Sequence, residues 1–469
     1  MARHAELAEL DIPEFGLPTV EPVIPPDTYR SRLRALIERV AEEGYDVFAV
    51  YGDREHYANI AYLTGYDPRF EEALLLMNVL KPDAKSILLV GNEGIGYTGI
   101  SPIKEDLEVV LYQSFSLPGQ PRGSSPNLEE ILRRSGAGKG SRVGVAGWKY
   151  YSYAETESPE MRLEVPSYIA EAMRRVSGYD SVLNANRLLT DPGSGLRTVN
   201  DVDQLARFEF AAAHTSQAIR DVIFKLRPGM TEYEAVRLMR LNGMPLSCHL
   251  MLSAGPRAFM GLPSPSSRVI RVGDPLTMAY GVWGALNARA GFVVKEQGEL
   301  PTGIRDYVER LVTPYFEAVA DWYEHMGLGV KGDELYKVVH GHIGDPFFGV
   351  HLNPGHLIHL DEWVSSPIYE GSDIALRSGM ALQVDIIPAT GTEYFTTNIE
   401  DGIALADGGL RNEFASRYPE AWNRIQARRR FMQEELGISL KPEVLPFSNI
   451  PAYLPPFLLS PRKAMRMVD

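Results

Sequence analysis

Gly379-Met-Ala-Leu-Gln-Val-Asp385 and Asn398-Ile-Glu400-Asp401-Gly402-Ile403 set acidic side chains inside apolar strand contexts. Burying a carboxylate in such a setting is costly unless something partners it. Two nearby carboxylates that no cation separates repel, so one keeps its proton to higher pH and the two form a potential acid/base pair. Asp385 and Glu400 are therefore candidate catalytic residues. The bland alternative makes them remnants held by Arg289 and His356.

Working outward, these stretches belong to a strand set over about residues 350–408. Upstream, strands are expected at His249–Ser253, Ser267–Val272, Leu276–Val282 and Ala290–Val294, then a helical pair over about 302–340. A long helix runs from about Asp201 to Phe224, with Leu205, Phe208, Ala212, Ile219 and Ile223 at helical spacing. Pro228-Gly229 ends it, and Thr231-x-x-Glu234 is a capping box for the next helix. Before about residue 190, strands such as Val47–Tyr51, Ala73–Val79, Ser86–Val90 and Val143–Ala146 alternate with helices, which indicates an α/β domain. The expected organisation is an extended arm at 1–26, an α/β domain at 27–195, a second domain at 196–435, and a Pro-rich tail at 436–469 that wraps over the surface.

Bulk composition agrees with an ordinary globular protein. The chain has 469 residues, enough for two or three domains at roughly 150 residues each. Lys plus Arg number 47 against 61 Asp plus Glu, a net charge of −14, and no dense basic stretch exists to displace counterions from nucleic acid. The single cysteine, Cys248, excludes an intramolecular disulfide and Cys-rich metal knuckles. The acidic start lacks the apolar core of a signal peptide, and no apolar run approaches the ~20 residues of a membrane span. A cytoplasmic protein with no nucleic-acid or membrane partner is expected.

The order of short motifs resembles the creatinase/aminopeptidase P/prolidase (pita-bread metallopeptidase) family. Tyr62-Leu-Thr-Gly-Tyr66 is similar to a segment of creatinase-type N-terminal domains, and Leu226-Arg-Pro-Gly-Met-Thr-Glu232 to a family helix junction. Arg268-Val-Ile-Arg-Val-Gly-Asp274, Gly355-His356, Gly379–Asp385 and Asn398–Ile403 resemble the later family motifs in the right order. The resemblance spans about residues 30–430. It implies a creatinase-like N-terminal α/β domain followed by an α+β pita-bread catalytic-type domain, and a homodimer.

The family's chemistry uses two divalent ions held by two Asp residues of one hairpin, a His and two Glu residues. By the resemblance the hairpin Asp positions fall on Ala279 and on Ala290, or Leu286 if the hairpin is shorter, none of which can ligate a metal. His356, Asp385 (in place of Glu) and Glu400 persist, a set that suits at most a single divalent ion. The family's other catalytic His positions fall on Leu262 and near Trp363. The expected cofactor is none.

The expected catalytic set is His356, Asp385 and Glu400. Arg289 could bind a substrate carboxylate with its planar fork, or pair with Asp385 or Glu400. His359 is a second imidazole three residues beyond His356, and a core histidine on the bland reading. His249 is a further substrate-binding candidate. Its neighbour Cys248 faces the opposite side if the segment is a strand, so the two cannot easily pair. The functional expectation is a metal-independent enzyme cleaving a C–N bond in a small polar nitrogen-containing substrate. A non-catalytic ligand- or peptide-binding protein, and a metal-dependent Xaa-Pro peptidase or lyase with an atypical site, are the alternatives.

Overall fold

The structure, a computed structural model, describes residues 3–469. Met1 and Ala2 of the expected arm lie outside the described residues. The chain divides into two compact units, residues 24–198 and residues 1–23 with 199–469.

The 24–198 unit opens with the helix Pro26–Glu42, whose Pro sits where the first turn needs no N–H donor. Gly44 follows it in the left-handed conformation (φ +74°). Among the described residues the unit's sheet has six strands: Val47–Gly52, Ala73–Asn78, Ser86–Val90, Leu107–Leu111, Val143–Ala146 and Val182–Asn184. Val47–Gly52 lies inside it, parallel to Val143–Ala146 and antiparallel to Ala73–Asn78. The inner strands are apolar and buried on both sides, as a sheet covered on both faces requires.

The second unit is built on a seven-stranded sheet among its described residues. Its centre is the hairpin Pro275–Val282/Ala285–Phe292, flanked on one side by Met251–Ala254. On the other side lie Asn398–Leu405, Ala381–Ile386 and the short strand His356–Leu357. The helix Val202–Lys225 is opened by the Asp201 side chain, which accepts from the Gln204 N–H, and Thr231 and Glu234 form the expected capping box. The helical pair is Thr313–His325 and Gly332–Ile343.

Two expectations need correction, and that of an extended arm gains a partner strand. Ser267–Val272 is not a strand: the Arg268 guanidinium grips both oxygens of Asp274 at 2.7 and 2.9 Å, turning the chain at Gly273, and only Val269 bridges, to Thr231. The N-terminal arm is not merely extended, since His4–Glu9 pairs antiparallel with Lys463–Val468. The Pro-rich tail does not lie on the surface. Val444–Pro446 joins the large sheet, and Ile450, Ala452, Tyr453 and Leu454 are fully buried.

What draws the tail in is a buried ion pair. Arg289 Nη2 lies 2.7 Å from Asp401 Oδ2, both side chains almost wholly shielded from solvent. The remaining guanidinium donors reach the carbonyls of Ile450 (2.6 Å), Tyr453 (2.8 Å) and Ala288 (2.7 Å). Asp401 in turn accepts from the Asn287 side chain (2.7 Å) and the Ala452 N–H (2.9 Å). Ala452 is held at φ +53°, a left-handed backbone that a residue with a Cβ adopts only at a cost. A second buried set reinforces the same segment: Glu209 accepts from Arg424 and Arg428, and Arg428 also donates to Asn449 (2.6 Å).

Removing one member of a buried pair strands the other's charge. Asp401→Ala is expected to destabilise the protein by about 3–5 kcal/mol in chemical denaturation. A loss within 1 kcal/mol would show that the pair is not what fixes this segment.

Candidate functional site

Strand pleat decides which side chains meet. In antiparallel strands directly opposed residues share a face, and neighbours along a strand alternate. Asp385 stands opposite Glu400, Glu400 opposite Ala288, and Ala288 opposite Ala279. His356 stands opposite Gln383, on the same face two residues before Asp385. One sheet face thus carries His356, Gln383, Asp385, Asn398 and Glu400. Asp401, Arg289 and Asn287 point to the other.

His356 anchors the cluster. Its ring stacks on Trp363 (centroids 4.1 Å apart, 19° between planes), and its Nδ1 lies 3.2 Å from the Leu357 carbonyl. That leaves Nε2 facing Glu362 Oε1 at 3.1 Å and Asp385 Oδ2 at 3.7 Å. Burial opposes charge on the imidazole, but Glu362, and after it Asp385, outweigh that, so His356 titrates above its ordinary value.

The carboxyls are shifted upward as well, which for an acid favours the neutral form. Burial, only partly offset by His356, pushes Asp385 up to about 6. Burial, then Asp385 and Glu362, hold Glu400 well above the usual carboxylate range. Arg289 offsets little, because its donors are spent on Asp401 and backbone carbonyls across the sheet. Neither pairing considered for it, with Asp385 or Glu400, is the one formed, and its burial leaves it no reach toward a substrate. Several acceptors on the site face have no hydrogen-bond partner among the described residues: Asp385 Oδ1, Gln383 Oε1 and Asn398 Oδ1.

The other candidates sit apart. His359 is fully buried, accepts the Leu360 N–H at its Nδ1 (2.8 Å) and meets Phe208 edge-on. His249 is exposed, bound through Nε2 to the Leu262 carbonyl (2.8 Å), and Leu262 is itself exposed. Cys248 does lie toward the site, but burial and the nearby Glu362 and Glu400 push its thiol up to about 12, leaving it protonated and a poor nucleophile.

Glu362 is the member that sequence reasoning missed. It follows His356 and His359 in the acidic Asp361-Glu362 pair, the one local signal for it, and the loop folds it back over His356. His356, Glu362 and Glu400 each offer a ligand atom within 4.8 Å of one another. A dinuclear metal pair does not fit. Ala279, Ala290 and Leu286, where its bridging carboxylates would stand, lie on the site face and present only apolar side chains.

The chain matches no family model and no curated protein by sequence. Among solved structures it is similar to a prolidase from Thermococcus sibiricus (TM-score 0.61, 18% identity, 81% of this chain and 95% of that one). It is similar also to an Xaa-Pro dipeptidase from Bacillus anthracis (0.59, 17%, 81% and 96%). A third likeness is to an X-Pro aminopeptidase from Thermotoga maritima (0.58, 16%, 80% and 95%). At these identities the likeness is one of fold. The chain has the pita-bread fold of the creatinase/aminopeptidase P/prolidase structures, an α/β unit followed by an α+β unit.

Proposed function

We propose that the chain is a divergent creatinase/aminopeptidase-P-like enzyme that works without a metal pair and cleaves a C–N bond in a small, nitrogen-containing substrate bound as a cation. What carries this reading is the imbalance of the site face. Among the described residues Asp385, Gln383 and Asn398 offer acceptors without partners and Glu400 adds a further buried acid, and a ligand rich in N–H donors and positive charge supplies what they lack.

In this scheme Asp385 and Glu400 share one proton and grip the substrate nitrogens. His356, kept protonated by Glu362, lies ready as the general acid. Water adds to the carbon and gives its proton to Asp385. The C–N electron pair leaves on nitrogen, which takes the proton of His356. Specificity for an anionic end is no longer assigned, since Arg289 is committed elsewhere.

A second reading places one divalent ion at His356, Glu362 and Glu400, favoured by the convergence of their ligand atoms. The two readings separate cleanly. The first expects well under one equivalent of divalent metal by elemental analysis after mild purification, and turnover that resists chelators. One tightly bound ion per chain would favour the second.

Across a panel of amides, amidines and dipeptides, His356→Ala and Glu400→Gln should each lower turnover at least about 100-fold with the fold intact by circular dichroism. Wild-type rates in both variants would sink the site assignment, and no turnover by the unmutated chain would leave a binding protein.

The raised pKa of Asp385 also has a stability signature. A free Asp ionises near ~3.9, whereas here the proton is held to about 6. Between those values the folded state binds more protons, so stability falls as pH rises and the full cost is present above about 6. Asp385→Asn removes that cost and should raise stability by about 1–3 kcal/mol near neutrality and little near pH 4. An equal gain at both pH values in urea denaturation would contradict this.

A further inference from the structure

The 24–198 unit carries a separate feature at one end of its sheet. The carboxyl ends of Val47–Gly52, Ser86–Val90 and Leu107–Leu111 lie together with the start of Ala73–Asn78. In open α/β sheets that end is where crevices form. Here it holds a cavity of about 410 Å³ lined by Tyr66, Asp67, Phe70, Glu71, Glu93 and Tyr97.

Glu71 is the residue that gives the cavity chemical meaning. Its side chain is 6% exposed. One oxygen accepts the N–H groups of Gly94 (2.8 Å) and Glu93 (3.2 Å). The other, Oε1, is buried and has no hydrogen-bond partner among the described residues. The carboxylate is pressed so closely on Gly91 that a Cβ there would come within 2.5–2.9 Å of it, so the backbone is shaped around this acid.

The walls are aromatic. Tyr66 and Tyr97 meet edge to face with centroids 5.7 Å apart, and Phe70 and Tyr97 stay exposed at the mouth. The lining cannot suit an anion, with Asp67, Glu71 and Glu93 in it. The nearby Arg69 is bound to Asp67 through both its Nε and Nη2 (2.9 Å each) and is not the missing partner. A divalent metal wants several oxygens converging at close range, and among the described residues Asp67, Glu71 and Glu93 form no such group.

We infer that this crevice is a binding site for a small organic cation bearing N–H donors, an ammonium or guanidinium ion, with Glu71 as its counter-charge and the rings of Tyr66, Tyr97 and Phe70 as its walls. Such a cation balances the charge of Glu71 and gains from the aromatic walls at once. The site is independent of the function proposed above.

Calorimetric titration of the intact chain with methylguanidinium tests this. The Glu400→Gln background removes binding at the sheet site of the other unit. Saturable binding is expected to persist there, and to weaken about tenfold or more on adding Glu71→Gln. Tyr97→Ala, at an exposed position that tolerates truncation, should weaken it severalfold as well. Absence of saturable binding in the Glu400→Gln background, or equal binding in the Glu71→Gln and Tyr97→Ala variants, would overturn the inference.

Discussion

Glu400 and Asp401 are neighbours on one strand, and the pleat sends them to opposite faces of the sheet. Only Asp401 is given a cation. Arg289 and Asp401 form a shielded pair that also holds the carbonyls of Ile450 and Tyr453, so the C-terminal segment is locked against one face. The same arrangement takes the nearest guanidinium away from Asp385 and Glu400. Structure on one side of the sheet is thereby tied to unmet charge on the other.

That charge gives the site its character. At the positions that the family resemblance assigns to the hairpin carboxylates, Ala279 and Ala290 or Leu286 present only apolar side chains beside Asp385 and Glu400. Protons and His356 offset that acid, and Glu362, itself one more carboxylate, acts only by holding His356 in its charged form. A buried group held partly protonated near neutrality is suited to proton transfer. The partnerless acceptors beside it suit a donor-rich ligand.

Much of this was legible in the residues. The motif order gave the pita-bread fold, and the apolar setting of Asp385 and Glu400 announced two carboxylates that would disturb one another. Arg289 shares a face with Asp401 only through the register that sets Ala288 opposite Glu400, and alternation within each strand does not fix that register. Other features were hidden for physical reasons. Glu362 reaches His356 through a loop without periodicity, and no spacing rule brings it there. The tail from Lys441 onward reads as irregular because its burial depends on donors and acceptors far away in sequence. Ser267–Val272 has strand-like side chains, yet the Arg268–Asp274 fork turns it.

The central claim is that the site face holds more acid than cation, so that a carboxyl stays protonated at neutral pH. Infrared difference spectroscopy of the purified chain across pH tests it most directly. The account predicts a protonated carboxyl C=O band that persists near pH 7 and vanishes in Glu400→Gln. Fully ionised carboxylates at that pH, with the same spectrum in wild type and variant, would contradict it.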